Sequence, residues 1–220
     1  MSGFEPHWEV LPAPQRAIWP HLAPGVNLGL VLYGGTAAGL RLGHRTSVDF
    51  DFFTEAPIDH AELDQNFEFI RDSTVIQQQK NTLTVLAPSL GDNVKISFFG
   101  EIGIGRVGTP DVTRDGVVKI ASLDDLLATK LKVLLQRVEA KDYRDIVAIL
   151  RAGNKLETGL AAAAAMYSPN FQPGEAIKAL TFFEGGDLAS LSHVERDYLT
   201  HTIAKVRSIP ALGIISRSLS

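Results

Sequence analysis

The sequence predicts an α+β protein in which a mixed β-sheet flanked by helices is followed by a helical C-terminal half. Two changes of pattern along the 220 residues support this fold class. Between Leu28 and about Gly105, short apolar or alternating runs typical of strands are interspersed with helical stretches. After Ala121 the apolar residues recur at helical spacing. These changes predict three parts: a lead-in over residues 1–27 packed on the body, a core over 28–116, and a helical region over 117–220.

Prolines interrupt the lead-in and leave room for one short helix around Gln15 to Leu22. Trp8 and Trp19 are its large aromatic side chains, and we expect them to dock the lead-in onto the body. The stretch lacks the apolar segment of a signal peptide.

The core opens with an uncharged apolar run, Leu28 to Tyr33, which predicts a buried strand. The strand leads into Gly34-Gly35-Thr36, and Ala37 to Leu42 then predicts a short helix. A second strand is expected over Ser47 to Phe53. Because side chains alternate along a strand, Val48, Phe50 and Phe52 should enter the core while Asp49 and Asp51 leave the opposite face together.

The remaining elements follow from periodicity and turn signals. In the core we expect a helix over Ile58 to Ile70, a hairpin of Ser73 to Gln79 with Thr82 to Ala87, a strand over Asn93 to Phe99 with Val94, Ile96 and Phe98 on one face, and a loop over Gly100 to Gly116. In the helical region we expect helices over Ser122 to Val138, Asp142 to Ala152, Lys155 to Met166, Glu175 to Phe183 and Ser192 to Lys205.

The glycine turn and the two carboxylates together predict a polyphosphate site. Backbone N–H groups at a strand-to-helix turn can surround phosphate oxygens, and glycine lets them approach closely. Asp49 and Asp51 repel each other unless a divalent cation neutralises them, and Mg²⁺ is the natural cation beside phosphates. Each motif alone is weak evidence, since a lone Gly-Gly is usually a turn and a lone Asp-x-Asp is usually a solvated strand end. Their order and spacing favour one shared pocket that binds a nucleoside triphosphate.

A second constellation lies in the first predicted helix of the C-terminal half. On a helical wheel, Lys130 and Arg137 fall within the apolar stripe that should be buried. Buried cations need partners. A triphosphate in a cleft beside the sheet is one candidate, and the alternatives are contact with water or an ion pair with Asp142 or Asp145.

Asp142 admits two interpretations. It could cap the next helix, with Asp145 supporting the cap. The wheel also places it between Ile146 and Ile149, so that it could face inward and orient Lys130 or Arg137, or accept a proton from an attacking hydroxyl.

These stretches resemble the AbiEii/AbiGii-type nucleotidyltransferase toxins of the polymerase-β-like superfamily. The resemblance covers about residues 28–185, and its motifs are Gly34 to Ala37, His44 to Phe53, and Lys130 through Arg137 to Asp145. It implies a nucleotidyltransferase-type sheet and a toxin of a type IV toxin–antitoxin or phage-defence system. An NTP is then the substrate, RNA a candidate acceptor and a cognate antitoxin a candidate partner.

The resemblance also implies roles for individual residues. Gly35 and Thr36 would hold the triphosphate, and Asp49 and Asp51 would hold Mg²⁺. The helical motif would be completed by Lys130 with Asp142 or Asp145, which we count as catalytic with the two metal ligands. The full set expected to bind nucleotide is Gly34, Gly35, Thr36, Arg45, Lys130 and Arg137; Arg45 has an alternative as a turn residue bonded to backbone carbonyls.

One position departs from the superfamily pattern. Members usually carry a third carboxylate on a neighbouring strand, and Ser97 occupies that position here. Glu101 is four residues further along, about 13 Å on a strand, which is too far to substitute. Activity would then use Asp142 or Asp145 as the base, be slow, or be lost. The alternatives to an RNA-directed enzyme are therefore a small-molecule nucleotidyltransferase of the antibiotic-modifying type and a non-catalytic nucleotide-binding module.

Composition bounds these hypotheses. The net charge of −4 argues against a broadly basic nucleic-acid-binding protein. A toxin acting on RNA should still present a local basic surface, for which the candidates are Arg41, Arg45, Lys95, Arg106, Lys130 and Arg137. Without cysteine the chain forms no disulfide or thiolate metal site. The longest apolar run, Leu160 to Tyr167, is too short to cross a bilayer, so we expect a cytoplasmic protein without a membrane partner.

Overall fold

The fold was analysed in a computed structural model, which describes residues 3–220. The chain divides into two compact units. The first comprises the chain up to Gly105, Thr109–Ser122 and Ser216–Ser220, and the second comprises Arg106–Gly108 and Leu123–Ile215. The three-part division expected from the sequence stays a prediction about domains. No helix within residues 3–220 is long and apolar enough to cross a membrane.

The first unit contains a mixed β-sheet, as the sequence predicts. Its seven strands over the described residues are β1 (Val31–Tyr33), β2 (Phe50–Phe53), β3 (Thr74–Gln79), β4 (Thr82–Ser89), β5 (Asp92–Phe99), β6 (Asp111–Val112) and β7 (Lys119–Ile120). Their order is β3-β4-β5-β2-β1-β7-β6. The pairs β1–β7 and β2–β5 are parallel, and the others are antiparallel. The predicted hairpin is β3–β4.

Alternation along β2 and β5 builds the core of this sheet. Phe50, Phe52 and Phe98 are fully buried, and the rings of Phe52 and Phe98 stack with centroids 5.7 Å apart. Val94 and Ile96 are buried beside them, which confirms the predicted inner face of β5. The carboxylate-bearing and apolar faces of β2 are thereby separated.

In its described part, the first unit has four α-helices: α1 (Ala13–Ile18), α2 (Pro24–Asn27), α3 (Gly34–Leu42) and α4 (His60–Asn66). The lead-in is docked by Trp19, which is buried and contacts Phe50 at 6.1 Å between ring centroids. Trp8 packs edge-on against Trp19 at 5.1 Å. Trp19 thus contacts the sheet, whereas Trp8 contacts Trp19 within the lead-in.

The second unit is helical. Its α-helices are α5 (Leu123–Val133), α6 (Ala140–Arg151), α7 (Leu156–Met166), α8 (Pro173–Thr181) and α9 (His193–Lys205). Ser192 accepts a hydrogen bond from the Glu195 N–H while the Glu195 carboxylate accepts one from the Ser192 N–H, so α9 begins with a capping box.

Several predicted boundaries were wrong. The first strand begins at Val31, because the chain before it forms α2 and then turns at Gly29 with a φ of +68°. The second begins at Phe50, so Val48 lies outside it and is 50% exposed rather than in the core. The predicted helix over Gln15 to Leu22 is α1 followed by a 3₁₀ turn over Trp19–Leu22.

Other predicted elements are shorter or divided. The helix expected over Ile58 to Ile70 is α4 followed by a 3₁₀ turn over Glu68–Asp72. The helix expected to reach Val138 ends at Val133, where the N–H of Gln136 and that of Arg137 both bond to the Val133 carbonyl and close a turn. The predicted loop over Gly100 to Gly116 contains the short strand β6.

Candidate active site

The glycine turn meets the second carboxylate in the first unit. Tyr33, the last residue of β1, is paired with Asp51 of β2, and α3 starts at the next residue, Gly34. Gly34 has a φ of +74°, and a methyl group on its Cα would lie 2.7 Å from Oδ2 of Asp51. The Asp51 carboxylate therefore lies directly against the backbone of the turn.

Thr36 links the same turn to the first carboxylate. Its side chain is buried, and its Oγ1 lies 2.9 Å from the Ser47 Oγ and within hydrogen-bond distance of the Asp49 carbonyl oxygen. These contacts hold the start of α3 and the segment before β2 together. The predicted role of Thr36 as a triphosphate ligand stays a prediction.

Arg45 lies beside the second glycine of the turn. A methyl group on Gly35 would collide with the guanidinium of Arg45, so this cation borders the place where phosphate is expected. The Nη1 of Arg45 also donates to the Thr46 carbonyl at 3.0 Å. Arg45 therefore lies beside the turn where phosphate is expected and also bonds to a backbone carbonyl, so its position is compatible with both interpretations.

Asp49 and Asp51 are the candidate ligands for Mg²⁺ in the first unit. Asp49 immediately precedes β2 and its side chain is 43% exposed, with the Lys95 Nζ 3.8 Å from its Oδ2. Residues 3–220 contain no group of three or more histidine, cysteine, aspartate or glutamate side chains suited to a metal. Mg²⁺ is commonly held by one or two carboxylates, with water and substrate phosphates as the other ligands. The donor set of Asp49 and Asp51 matches that requirement.

Ser97 stands where the strand register places the third side chain. In the parallel pair β2–β5, Ser97 is the partner of Asp51. It is 1% exposed, and its partner on β4 is Thr84, which is also buried. The position next to Asp51 on β5 is therefore occupied by a hydroxyl side chain and not by a carboxylate.

The helical unit holds a buried ion-pair network. Lys130 of α5 is 4% exposed, and its Nζ lies 2.7 Å from Asp142 Oδ1 and 2.6 Å from Asp145 Oδ2 on α6. Both carboxylates are fully buried. The ion-pair alternative for Lys130 is thus the observed contact within this unit, and its role toward a triphosphate stays a prediction.

Arg137 supports the same network from the turn between the two helices. Its Nε lies 2.8 Å from Asp142 Oδ2, and its Nη2 donates to Asp142 Oδ1 at 3.1 Å. Burial alone would raise the pKa of Asp142, but the hydrogen bonds from Arg137 and the charge of Lys130 outweigh it and hold that pKa below its usual range. Asp142 is therefore a stable carboxylate that orients two cations.

The capping interpretation of Asp142 was wrong. The residue flanking the start of α6 is Glu139, whose side chain makes no capping bond, and the N–H of Ala140 donates to Asp187 Oδ1 at 2.6 Å instead. Asp142 instead faces inward, as the wheel also allowed, and so does Asp145.

The predicted site residues thus fall into two groups. Gly34, Gly35, Thr36, Arg45, Asp49 and Asp51 lie together in the first unit, and Lys130, Arg137, Asp142 and Asp145 lie together in the second.

The candidate basic surface is reduced by two members. Arg41 bonds to Asp111 at 2.8 Å and to the carbonyls of Ile120 and Ala121, so its guanidinium is used structurally. Lys130 is buried. Lys95 and Arg137 remain partly exposed, each by a little over 40% of its side chain.

Sequence reasoning missed two polar contacts at this site. Ser47 bonds to Thr36, and Gln15 of the lead-in donates to the Val48 carbonyl at 2.9 Å. Ser47 lies within the motif from His44 to Phe53, but no role was assigned to it from the sequence. Gln15 belongs to no periodic pattern, so only the folded structure reveals its contact.

Comparison with known proteins agrees with the motifs. The profile of the family described as "Nucleotidyl transferase AbiEii toxin, Type IV TA system" matches residues 22–198. An uncharacterised protein of Aquifex aeolicus (strain VF5), aq_aa25, is 34% identical over 132 residues, which cover 57% of this chain and 62% of that protein. The matched region thus spans less than two thirds of the relative's length.

Two solved structures are similar in fold. MenT4, a nucleotidyltransferase toxin from Mycobacterium tuberculosis H37Rv, aligns with a TM-score of 0.51 at 12% identity, over 86% of this chain and 91% of that one. The antibiotic-resistance factor ANT(2'')-Ia aligns with a TM-score of 0.47 at 16% identity, over 68% of this chain and 89% of that one. The first of these supports the fold assignment.

Proposed function

This chain belongs to the AbiEii nucleotidyltransferase toxin family, and on that premise we propose that it transfers a nucleoside monophosphate from an NTP to an acceptor in a Mg²⁺-dependent reaction. Pyrophosphate is the leaving group. The observation that carries this assignment is the contact of the Asp51 carboxylate with the Gly34 turn, because a metal ligand and a phosphate-binding backbone are thereby adjacent.

Asp49 and Asp51 are the proposed metal ligands. A Mg²⁺ ion held by these residues would supply positive charge against the negative charge that develops during phosphoryl transfer. The backbone of Gly34, Gly35 and Thr36 is the proposed cradle for the polyphosphate, and Arg45 borders it with a positive charge. Catalysis would then come mainly from positioning and charge stabilisation.

The helical network supplies the remaining proposed roles. Asp142 orients Lys130 and Arg137, and its lowered pKa makes it a weak proton acceptor. Asp145 also pairs with Lys130, at 2.6 Å, so both aspartates are proposed to orient a cation and neither is singled out as the base. Lys130 and Arg137 are proposed as the cations of this helical motif.

The proposed acceptor is RNA, in keeping with a toxin family of a type IV toxin–antitoxin system. A cognate antitoxin is the proposed protein partner. The partly exposed Lys95 supports an anionic acceptor, since its cation lies 3.8 Å from the Asp49 carboxylate.

Nucleotide binding tests the assignment directly. Calorimetric titration with Mg²⁺ and each NTP should give saturable binding to the wild-type protein, and Asp49→Ala or Asp51→Ala should weaken it by about tenfold or more, since each removes a metal ligand. Asp92→Ala is the matched control, because Asp92 is an exposed aspartate at the start of β5. Equal binding by wild type and the Asp49 and Asp51 variants would contradict the proposal.

The acceptor requires a separate experiment. Incubation with α-³²P-labelled NTPs and total RNA should transfer label to RNA, and the Asp51→Ala variant should transfer none. Label that appears only on a small molecule would replace RNA as the acceptor and leave the nucleotidyltransferase assignment in place.

Ser97 favours one rival, a nucleotide-binding protein without turnover. The rival is motivated by the absence of a carboxylate beside Asp51 in the β2–β5 register. It expects NTP binding without label transfer in wild type, and some restored transfer in Ser97→Asp. Our proposal expects transfer in wild type and no gain in Ser97→Asp, because an added buried carboxylate beside Asp51 is repelled unless a further cation binds.

A further inference from the structure

The segment that carries Asp49 has no regular structure of its own. Residues 43–49 connect α3 to β2, and Asp49 is the last of them. Val48 turns its side chain toward solvent, so apolar packing at that position does not fix the segment. The location of the Asp49 carboxylate therefore depends on the backbone hydrogen bonds of its neighbours.

The lead-in provides two of these bonds. Gln15 on α1 donates from Nε2 to the Val48 carbonyl at 2.9 Å, and the Val10 carbonyl accepts the Ser47 N–H at 3.2 Å. Thr36 holds the other side of the segment through the Asp49 carbonyl. The backbone is thus bonded at three consecutive residues that end at Asp49.

Gln15 is itself held firmly. It is 5% exposed, and the helix that carries it is bound to β4 by the Ser89 hydroxyl, which donates to the Pro14 carbonyl at 2.8 Å. The end of this helix is fixed by Trp19, whose Nε1 donates to Asp115 at 2.8 Å. Trp19 also packs on Phe50, the residue between the two proposed metal ligands.

The amide of Gln15 is used on one side only. Its Nε2 is bonded, whereas its Oε1 is buried without a partner in the described structure. A buried unpaired oxygen is unfavourable for stability, so an apolar side chain of similar length would be tolerated in the fold. The hydrogen bond from the Gln15 Nε2 therefore points to a role at the Val48 carbonyl rather than in general packing.

We propose that Gln15 is a positioning residue that sets the Asp49 carboxylate for Mg²⁺, and that the lead-in is part of the working site. The inference rests on the proposed function. Gln15 and Val10 lie outside residues 22–198, which match the family, so the family assignment does not supply this role.

The test uses the full chain and Mn²⁺ as the probe for the Mg²⁺ site. Gln15→Met keeps the length of the side chain and removes the donor. We expect Mn²⁺ affinity, measured by calorimetry in the presence of an NTP, to fall by about tenfold, as for other groups that orient a metal ligand. The thermal unfolding midpoint should change by less than about 3 °C.

Ser89→Ala is the matched control. It removes a hydrogen bond that holds the same helix but does not touch residues 43–49, so Mn²⁺ affinity should stay at the wild-type value. Equal affinity losses in the two variants would overturn the specific role of Gln15. Unchanged Mn²⁺ affinity in a folded Gln15→Met variant would overturn it as well.

Hydrogen–deuterium exchange separates this inference from the proposed function. Gln15→Met should speed amide exchange in residues 47–50 and leave β4 and β5 unchanged, whether or not a metal is present. If the wild-type protein binds no Mn²⁺ but exchange rises in this way, the proposed function fails and the segment is still held by Gln15. If exchange in residues 47–50 does not rise, the positioning role is wrong.

Discussion

Gly34 meets two requirements at one position. Its φ of +74° lies in the left-handed region that side-chain-bearing residues avoid, and its missing Cβ leaves room for the Asp51 carboxylate. From the sequence alone, this glycine was explained by the close approach of a phosphate. The structure shows that Gly34 also contacts the Asp51 carboxylate. No local motif could predict this contact, because it arises from the pairing of β1 with β2.

Gly34→Ala should impair both stability and ligand binding. A positive φ on alanine costs roughly 1–2 kcal/mol, and the methyl group would displace the Asp51 carboxylate. We expect the free energy of unfolding to fall by about that amount in urea titrations followed by tryptophan fluorescence, since both tryptophans lie in the same unit as Gly34. Mg²⁺-dependent NTP binding should weaken in parallel.

Gly103→Ala is the control for this change. Gly103 has no atom within 4 Å of the position of a Cβ, so a change within about 0.5 kcal/mol is expected. Wild-type stability and NTP affinity in Gly34→Ala would show that the turn relaxes without loss, contrary to this account.

Predictions for single residues failed where the alternation of a strand was extended beyond the residues that pair with a neighbouring strand. Val48 continues the alternation of β2, but the strand ladder starts only at Phe50, and before it the side chain is free to face solvent. Gln15 could not be predicted at all, since its role depends on a carbonyl 33 residues away in the sequence.

At the level of elements, strand periodicity was sufficient to place Asp51 and Ser97, whereas Asp49 lies outside the strand. The alternation of β5 predicted its buried face, and the parallel register with β2 then sets Ser97 beside Asp51. Helix α5 was less predictable. A wheel assumes a continuous helix, and it placed Arg137 on α5 although the helix ends at Val133. Arg137 nonetheless reaches Asp142, because the turn after α5 carries it to α6.

The pairing of α5 with α6 makes Lys130 structurally important. Lys130→Ala would leave two fully buried carboxylates without their shared cation, which costs about 3–5 kcal/mol for a broken buried pair. We expect the urea midpoint followed by circular dichroism at 222 nm to fall accordingly. A loss of activity in this variant could therefore come from unfolding as well as from the loss of a functional cation.

Lys141→Ala is the matched control, because Lys141 also pairs with a carboxylate, Glu139, but half of its side chain is exposed. An exposed pair contributes at most about 1 kcal/mol. Similar destabilisation by the two variants would mean that burial does not distinguish these ion pairs. For the function itself, Lys130→Arg keeps the charge and is the better substitution.

At the scale of the whole molecule, the last residues of the chain belong to the first unit. The chain leaves the first unit at Ser122 and returns to it at Ser216. The returning residues are bound specifically: Leu219 is fully buried, and the Glu55 carboxylate accepts the Ser218 hydroxyl at 2.7 Å and the Leu219 N–H at 2.9 Å. No sequence motif indicated this contact, since it joins residues 164 positions apart.

That return has a practical consequence for anyone who wishes to dissect the protein. A piece cut after Ser122 would carry both proposed metal ligands but would lack Leu219, leaving an apolar hollow open to water and Glu55 without its two donors. Faithful dissection would need the last five residues spliced back onto the shortened chain.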